Sequence, residues 1–237
     1  MEFKKVKTLC AFTLAEVLIT LGIIGVVAAI TLPAFIENHK EKETVTKVKK
    51  MYSLISNAYQ MNIATNGPNL GTLKATNAQA ATEVATVFLP YLSIMKDCGT
   101  TKRGCVYNGT YKYKSGGNAV KYDYGGYASY RVLLNDGSSI WFRKTTASGN
   151  PSAIFYDVNG PKSPNTWGKD LFLYIVVEDK VIPAGSHLPG DPYSFDAHCS
   201  KSSVNGVGCT AWVINEGNLE YLRCSDLQYD GPKKKCQ

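Results

Sequence analysis

At 237 residues, with 44% hydrophobic and 19% charged residues and 21 glycines, the chain is long enough to bury a core and too apolar for disorder to be its main state. The 26 Lys and Arg residues exceed the 19 Asp and Glu residues to give a net charge of +7, but the excess is spread along the chain, so charge alone singles out no nucleic-acid partner. The seven cysteines form an odd set, which points either to one free thiol or to one cysteine that the mature protein discards.

In chain order, the first segment is MEFKKVKTLCA, with Lys4, Lys5 and Lys7 opposed by Glu2 alone. From Leu9 to Ile36 the only charge is Glu16, and Val17 to Ile36 is an uncharged run of helical length sufficient to cross a hydrocarbon layer of about 30 Å. The basic flank holds the N-terminus in the cytoplasm and sends the remainder across the membrane. A secretory signal peptide would carry a shorter apolar run, typically about 7–15 residues. An ordinary anchor leaves Glu16 unexplained, because a carboxylate in a spanning helix costs about 2.5–3.5 kcal/mol at the centre and less near the interface.

Ala11, Phe12, Thr13, Leu14, Ala15 and Glu16, running straight into the apolar helix, resemble the class III signal of type IV pilins and type II secretion pseudopilins. The resemblance implies cleavage by a prepilin peptidase between Ala11 and Phe12, methylation of the new amine of Phe12, an assembly role for Glu16 and a helix-bending role for Pro33. It divides the chain into a leader at 1–11, a transmembrane helix at 12–36 and an extracytoplasmic domain at 37–237. The implied partners are the peptidase/methyltransferase, other pilin-like subunits in a homo- or heteropolymer, and the inner (cytoplasmic) membrane, crossed once. The motif is confined to the leader and the apolar helix. Independently of the family, Glu16 becomes a registration device if a neighbouring subunit offers a positive group, such as the amine of a cleaved Phe12. Gly22 and Gly25 each weaken the helix by about 1 kcal/mol relative to Ala, and Pro33 removes a backbone donor. A second reading, from another class, is a monomeric membrane-anchored binding domain that keeps Met1 to Ala11.

Beyond the apolar run, Val45, Val48, Tyr52, Ile55 and Tyr59 recur at steps of three and four, placing one apolar stripe on a helix with Lys and Glu opposite. Asn66, Gly67 and Pro68 stop it. A second helix is expected from Ala78 to about Met95, interrupted by Pro90. Strands are then expected at Tyr107–Tyr113, Ala119–Tyr124, Tyr130–Leu134, Ile140–Arg143, Ala153–Tyr156 and Leu171–Glu178, with a hairpin at Asn135, Asp136 and Gly137. The expected class is α+β, one long N-terminal helix packed on an antiparallel sheet, without a further domain boundary or repeat.

With cleavage before Phe12, Cys10 leaves with the leader, and Cys98, Cys105, Cys199, Cys209, Cys224 and Cys236 remain on the oxidising side. Pairing each with its sequence neighbour closes three short loops; Cys199 with Cys224 or Cys236 is an alternative. The last neighbouring pair resembles the cysteine-bounded C-terminal loop of many pilins. His198 beside Cys199 raises zinc, but no CxxC or HxxxH spacing accompanies it. Asp157, Asn159 and Asp170, in a Gly- and Pro-rich loop, are candidate calcium ligands, as in major pseudopilins; the same residues also make turns by bonding their own backbone. The chain lacks GxSxG, HExxH, GxxxxGK and a helix-opening GxGxxG, so no enzyme and no cofactor other than calcium is expected. Lys233, Lys234 and Lys235 form a basic tail without interleaved aromatics, which does not favour DNA as a partner.

Overall fold

The computed structural model describes residues 13–67, 77–101, 103–119, 128–144, 152–200 and 204–236. Contacts divide the chain into one unit up to Glu41 and a second from Lys42 to Gln237.

In the first unit, helix α1 (Leu14–Asn66) begins, and it continues through Pro33. An apolar 18-residue stretch near the N-terminus is wholly unburied, with Leu14 78%, Ile30 72% and Phe35 68% exposed. By length and composition this is a candidate membrane span.

The second unit contains the rest of α1 and a six-stranded sheet: β1 (Ile94–Gly99), β2 (Tyr130–Leu134), β3 (Ser139–Lys144), β4 (Ser152–Asp157), β5 (Leu171–Val176) and β6 (Val181–Pro183). The strands lie in sequence order and every neighbouring pair is antiparallel. This α+β arrangement, a long helix on an antiparallel meander, agrees with the sequence expectation. The expected stripe buries Val45, Val48, Ile55 and Tyr59, and Met51 and Ala58 join it, whereas Tyr52 stays half-buried and stacks on Tyr174. Tyr174 donates its hydroxyl to Val48 O at 2.8 Å, fastening β5 to α1.

Alternate strand residues serve two cores. Phe142, Ile154, Tyr156, Phe172 and Tyr174 pack with α1, helix α2 (Ala78–Phe88) and helix α3 (Thr210–Glu216). Trp141, Ala153, Phe155, Leu173 and Ile175 face the other way and pack with Val106, Tyr111 and Trp167. β4 and β5 are therefore buried on both faces and read as continuous runs, SAIFYD and LFLYIV, without polar alternation.

Several boundaries differ from the sequence reading. α2 ends at Phe88, not near Met95, because Pro90 cannot donate to Thr86 O; Leu89–Tyr91 tightens into a 3-10 turn, and Ile94–Gly99 becomes the edge strand β1. The residues Tyr107–Tyr113 are not a strand. Within that run two isolated bridges form, both at Lys112, to Asn118 and to Thr166, and the aromatic residues instead cover the second sheet face. The proposed strand Ala119–Tyr124 lies beyond the described residues from 120 onward. β6 was missed because three residues are too few to display a period. The hairpin at Asn135–Gly137 forms, with Gly137 at φ 82 and its N–H bonded to Leu134 O.

Candidate functional site

The first group of interest is the start of α1. Ala11 and Phe12 lie outside the described residues. Thr13 and Glu16 form a reciprocal cap: the Glu16 carboxylate accepts from Thr13 N at 2.8 Å and from Thr13 Oγ1 at 2.7 Å, while Glu16 N donates to Thr13 Oγ1 at 3.3 Å. This is the S/T-x-x-E capping box, which satisfies backbone donors that a helix start leaves open. The signal was present in the sequence as Thr13-Leu14-Ala15-Glu16. It gives Glu16 a partner inside its own chain, next to the exposed apolar helix.

The six candidate cysteines are joined as Cys98–Cys105, Cys199–Cys209 and Cys224–Cys236. Each bridge ties down a loop: the first holds the segment after β1, the second leads into α3, and the third closes the C-terminal tail. His198 beside Cys199 has no thiolate to share a metal with, since that sulfur is bonded to Cys209; its ring meets Tyr193 edge-on at 5.3 Å. Glu220 lies within ligand distance of Cys224 and Cys236, but both sulfurs belong to one disulfide.

The Asp157–Asp170 loop brings the three candidate calcium ligands into one oxygen-rich neighbourhood. Asp157 ends β4 and is wholly buried. It accepts from Tyr111 Oη at 2.7 Å and from Asn159 N at 3.3 Å. Burial, with the negative charge of Asp170 adding to it, pushes the Asp157 carboxyl well above the usual carboxylate range. Asp170 precedes β5, accepts from Thr166 N at 3.0 Å, and is pushed by burial up to about 6. Asn159 Oδ1 and Asn165 Oδ1 are buried and have no hydrogen-bond partner among the described residues, and Asn165 is 2% exposed. Asn159 Nδ2 and Asn165 Nδ2 donate to Pro164 O and Gly160 O, which fixes both amides with their oxygens unsatisfied. Two raised carboxyls and two orphaned amide oxygens are hard donors of the kind calcium takes. Tyr111 and Asn165 were not among the candidate residues. Tyr111 comes from a loop 46 positions away, which no local spacing reveals.

The remaining candidates are structural. His187 is exposed: its Nε2 accepts from Phe195 N at 3.2 Å, so Nδ1 carries the proton that Asp230 accepts at 2.9 Å. Lys234 lies over Trp212 at 5.3 Å and Tyr229 at 5.7 Å and pairs with Glu216 at 3.0 Å. Lys233 pairs with Asp226. Two of the three tail lysines are thus bound to their own domain, and Lys235 remains exposed.

No protein-family model, no curated protein and no solved structure matches this chain.

Proposed function

We propose that the chain is a filament subunit of the type IV pilus or type II secretion pseudopilus kind, cut by a prepilin peptidase between Ala11 and Phe12 and methylated on Phe12. In this reading it sits in the inner membrane with a cytoplasmic N-terminus, its domain on the far side, and then polymerises through the first part of α1. The observation that carries the reading is a fully exposed apolar helix interrupted by a single carboxylate at its first turn. A neighbour's amine offers Glu16 a charge-assisted bond stronger than the neutral donors of Thr13, and so rewards assembly at one offset. The test is Glu16→Ala in the native host: insertion and cleavage persist while filament incorporation is lost. Normal incorporation of the variant would sink the assembly role.

The second reading, a monomeric anchored binding domain, is favoured by the capping box, which makes Glu16 tolerable without a neighbour. Intact mass decides between them: a methylated chain starting at Phe12 belongs to the first, and a chain retaining Met1 to Ala11 to the second. Calcium belongs to either reading. Asp157, Asn159, Asn165 and Asp170 would hold it, and its positive charge would neutralise the two buried carboxyls and satisfy the orphaned amides. An unchanged melting temperature with calcium and with chelator would remove it.

A further inference from the structure

The chain contains four Asn-Gly dipeptides, at 66–67, 108–109, 159–160 and 205–206. Asn-Gly is the pair most open to self-modification, because glycine lacks the Cβ that would crowd attack of its own amide nitrogen on the preceding side chain. Whether attack occurs depends on two things the fold controls, namely the freedom of the Asn amide and the freedom of the glycine N–H.

Three of the four pairs are held. Asn66 Nδ2 donates to Asn62 Oδ1 at 2.9 Å, and Gly67 N is bound to Ile63 O at 2.9 Å at the end of α1. Asn159 Nδ2 donates to Pro164 O at 2.9 Å, its Oδ1 is buried, and Gly160 N donates to Asp157 O at 3.3 Å. Asn205 Oδ1 accepts from Val207 N at 3.0 Å, and Gly206 is buried against the Trp167 carbonyl. The fourth is different. Asn108 is exposed in a bend, and although the Tyr107 ring lies against the half-buried Gly109, among the described residues neither the Asn108 side chain nor the Gly109 N–H has a hydrogen-bond partner.

We propose that Asn108 is a site of spontaneous deamidation in the folded protein. The deprotonated Gly109 nitrogen attacks Asn108 Cγ, the Cγ–Nδ2 bond breaks, and ammonia leaves with the proton to give a five-membered succinimide. Water then adds across one of the two ring carbonyls, opening the ring to Asp or isoAsp. No oxidant, reductant or partner is needed. Each event places a carboxylate at an exposed bend of the loop that follows the Cys98–Cys105 bridge, so aged molecules differ from new ones by one negative charge.

The experiment is timed peptide mapping of the full chain in detergent micelles under non-reducing conditions, at mildly acidic and mildly alkaline pH, with a denatured sample alongside. The expected result is a mass gain of one dalton with isoAsp on the Asn108 peptide, at least an order of magnitude faster than on the other three and faster at the higher pH. In the denatured sample all four convert at comparable rates. Asn108→Gln abolishes the event without disturbing the disulfides. An unmodified Asn108 peptide, or faster conversion at Asn66, Asn159 or Asn205, overturns the proposal. So does a large mass on the Asn108 peptide that Thr110→Val removes, since this would make Asn-Gly-Thr a glycan acceptor instead.

Discussion

Two carboxylates, Glu16 in the first unit and Asp157 in the second, are handled in opposite ways. Glu16 stands on an exposed helix and is served by the residue three positions before it. Asp157 is sealed between a β-sheet and a loop and is served by Tyr111, 46 positions away. The contrast extends to the apolar side chains around each. Those from Val17 to Ile36 are left for a surrounding phase or a partner to cover, whereas those of β4 and β5 are covered on both faces by the chain itself. Stability in the second unit is decided by packing, and the first unit's behaviour is decided by what surrounds it.

The largest test of this contrast is a pair of truncations. Trp212→Ala, in the fully buried core, should cost about 3–5 kcal/mol in denaturant unfolding, while Ile24→Ala should leave the domain's transition where it was. A shift from Ile24→Ala comparable to that from Trp212→Ala would break the division.

Replacing Cys199 and Cys209 together by Ser should cost about 2–3 kcal/mol, since the bridge closes a loop of separation 10 in the unfolded chain. The loss should appear as a lower denaturation midpoint and be absent when both proteins are reduced.

A third test uses pH. Because burial raises the Asp157 and Asp170 carboxyls, the unfolded chain releases these protons at a lower pH than the fold does, and stability falls as pH rises. Both contributions are fully present below about 4, the unfolded value. The Asp170 contribution is lost as pH rises through about 6, and that of Asp157 through its own raised value. Asp157→Asn keeps an acceptor for Tyr111 and cannot ionise, so it should flatten the slope and raise the melting temperature at neutral pH. An unchanged slope, or a lower melting temperature at neutral pH, would show that Asp157 is balanced by a cation or by donors rather than held neutral.

The smallest effect is Thr13→Val, which removes the hydroxyl half of the cap at a cost of about 1 kcal/mol. Faster hydrogen exchange in the first turn of α1, with the domain's melting temperature unchanged, is the expected outcome; a shift in the domain would link the two units.

How much was legible follows from the range of the forces involved. The stripe from Val45 to Tyr59 and the stop at Asn66 were readable because helical period and chain breakers are local. β2 was bounded correctly and β3, β4 and β5 to within two residues, since the Asn135–Gly137 turn and runs rich in β-branched and aromatic residues also act over a few positions. Tyr107–Tyr113 misled for the same reason, because its three tyrosines and Thr110 fit a strand locally, yet the sheet had a bare face to cover and the loop was bridged beside it.

The sequence by itself determined that an apolar helix with one early carboxylate precedes an α+β domain, because the 3.6-residue period, the caps and the charge pattern are properties of neighbouring residues. Only the tertiary structure decided that both sheet faces are covered, that Tyr111 reaches Asp157, and that Asn108 alone of the four Asn-Gly asparagines is left unheld. Those outcomes depend on which distant segments share a surface, and burial, unlike helical period, is settled by the whole chain at once.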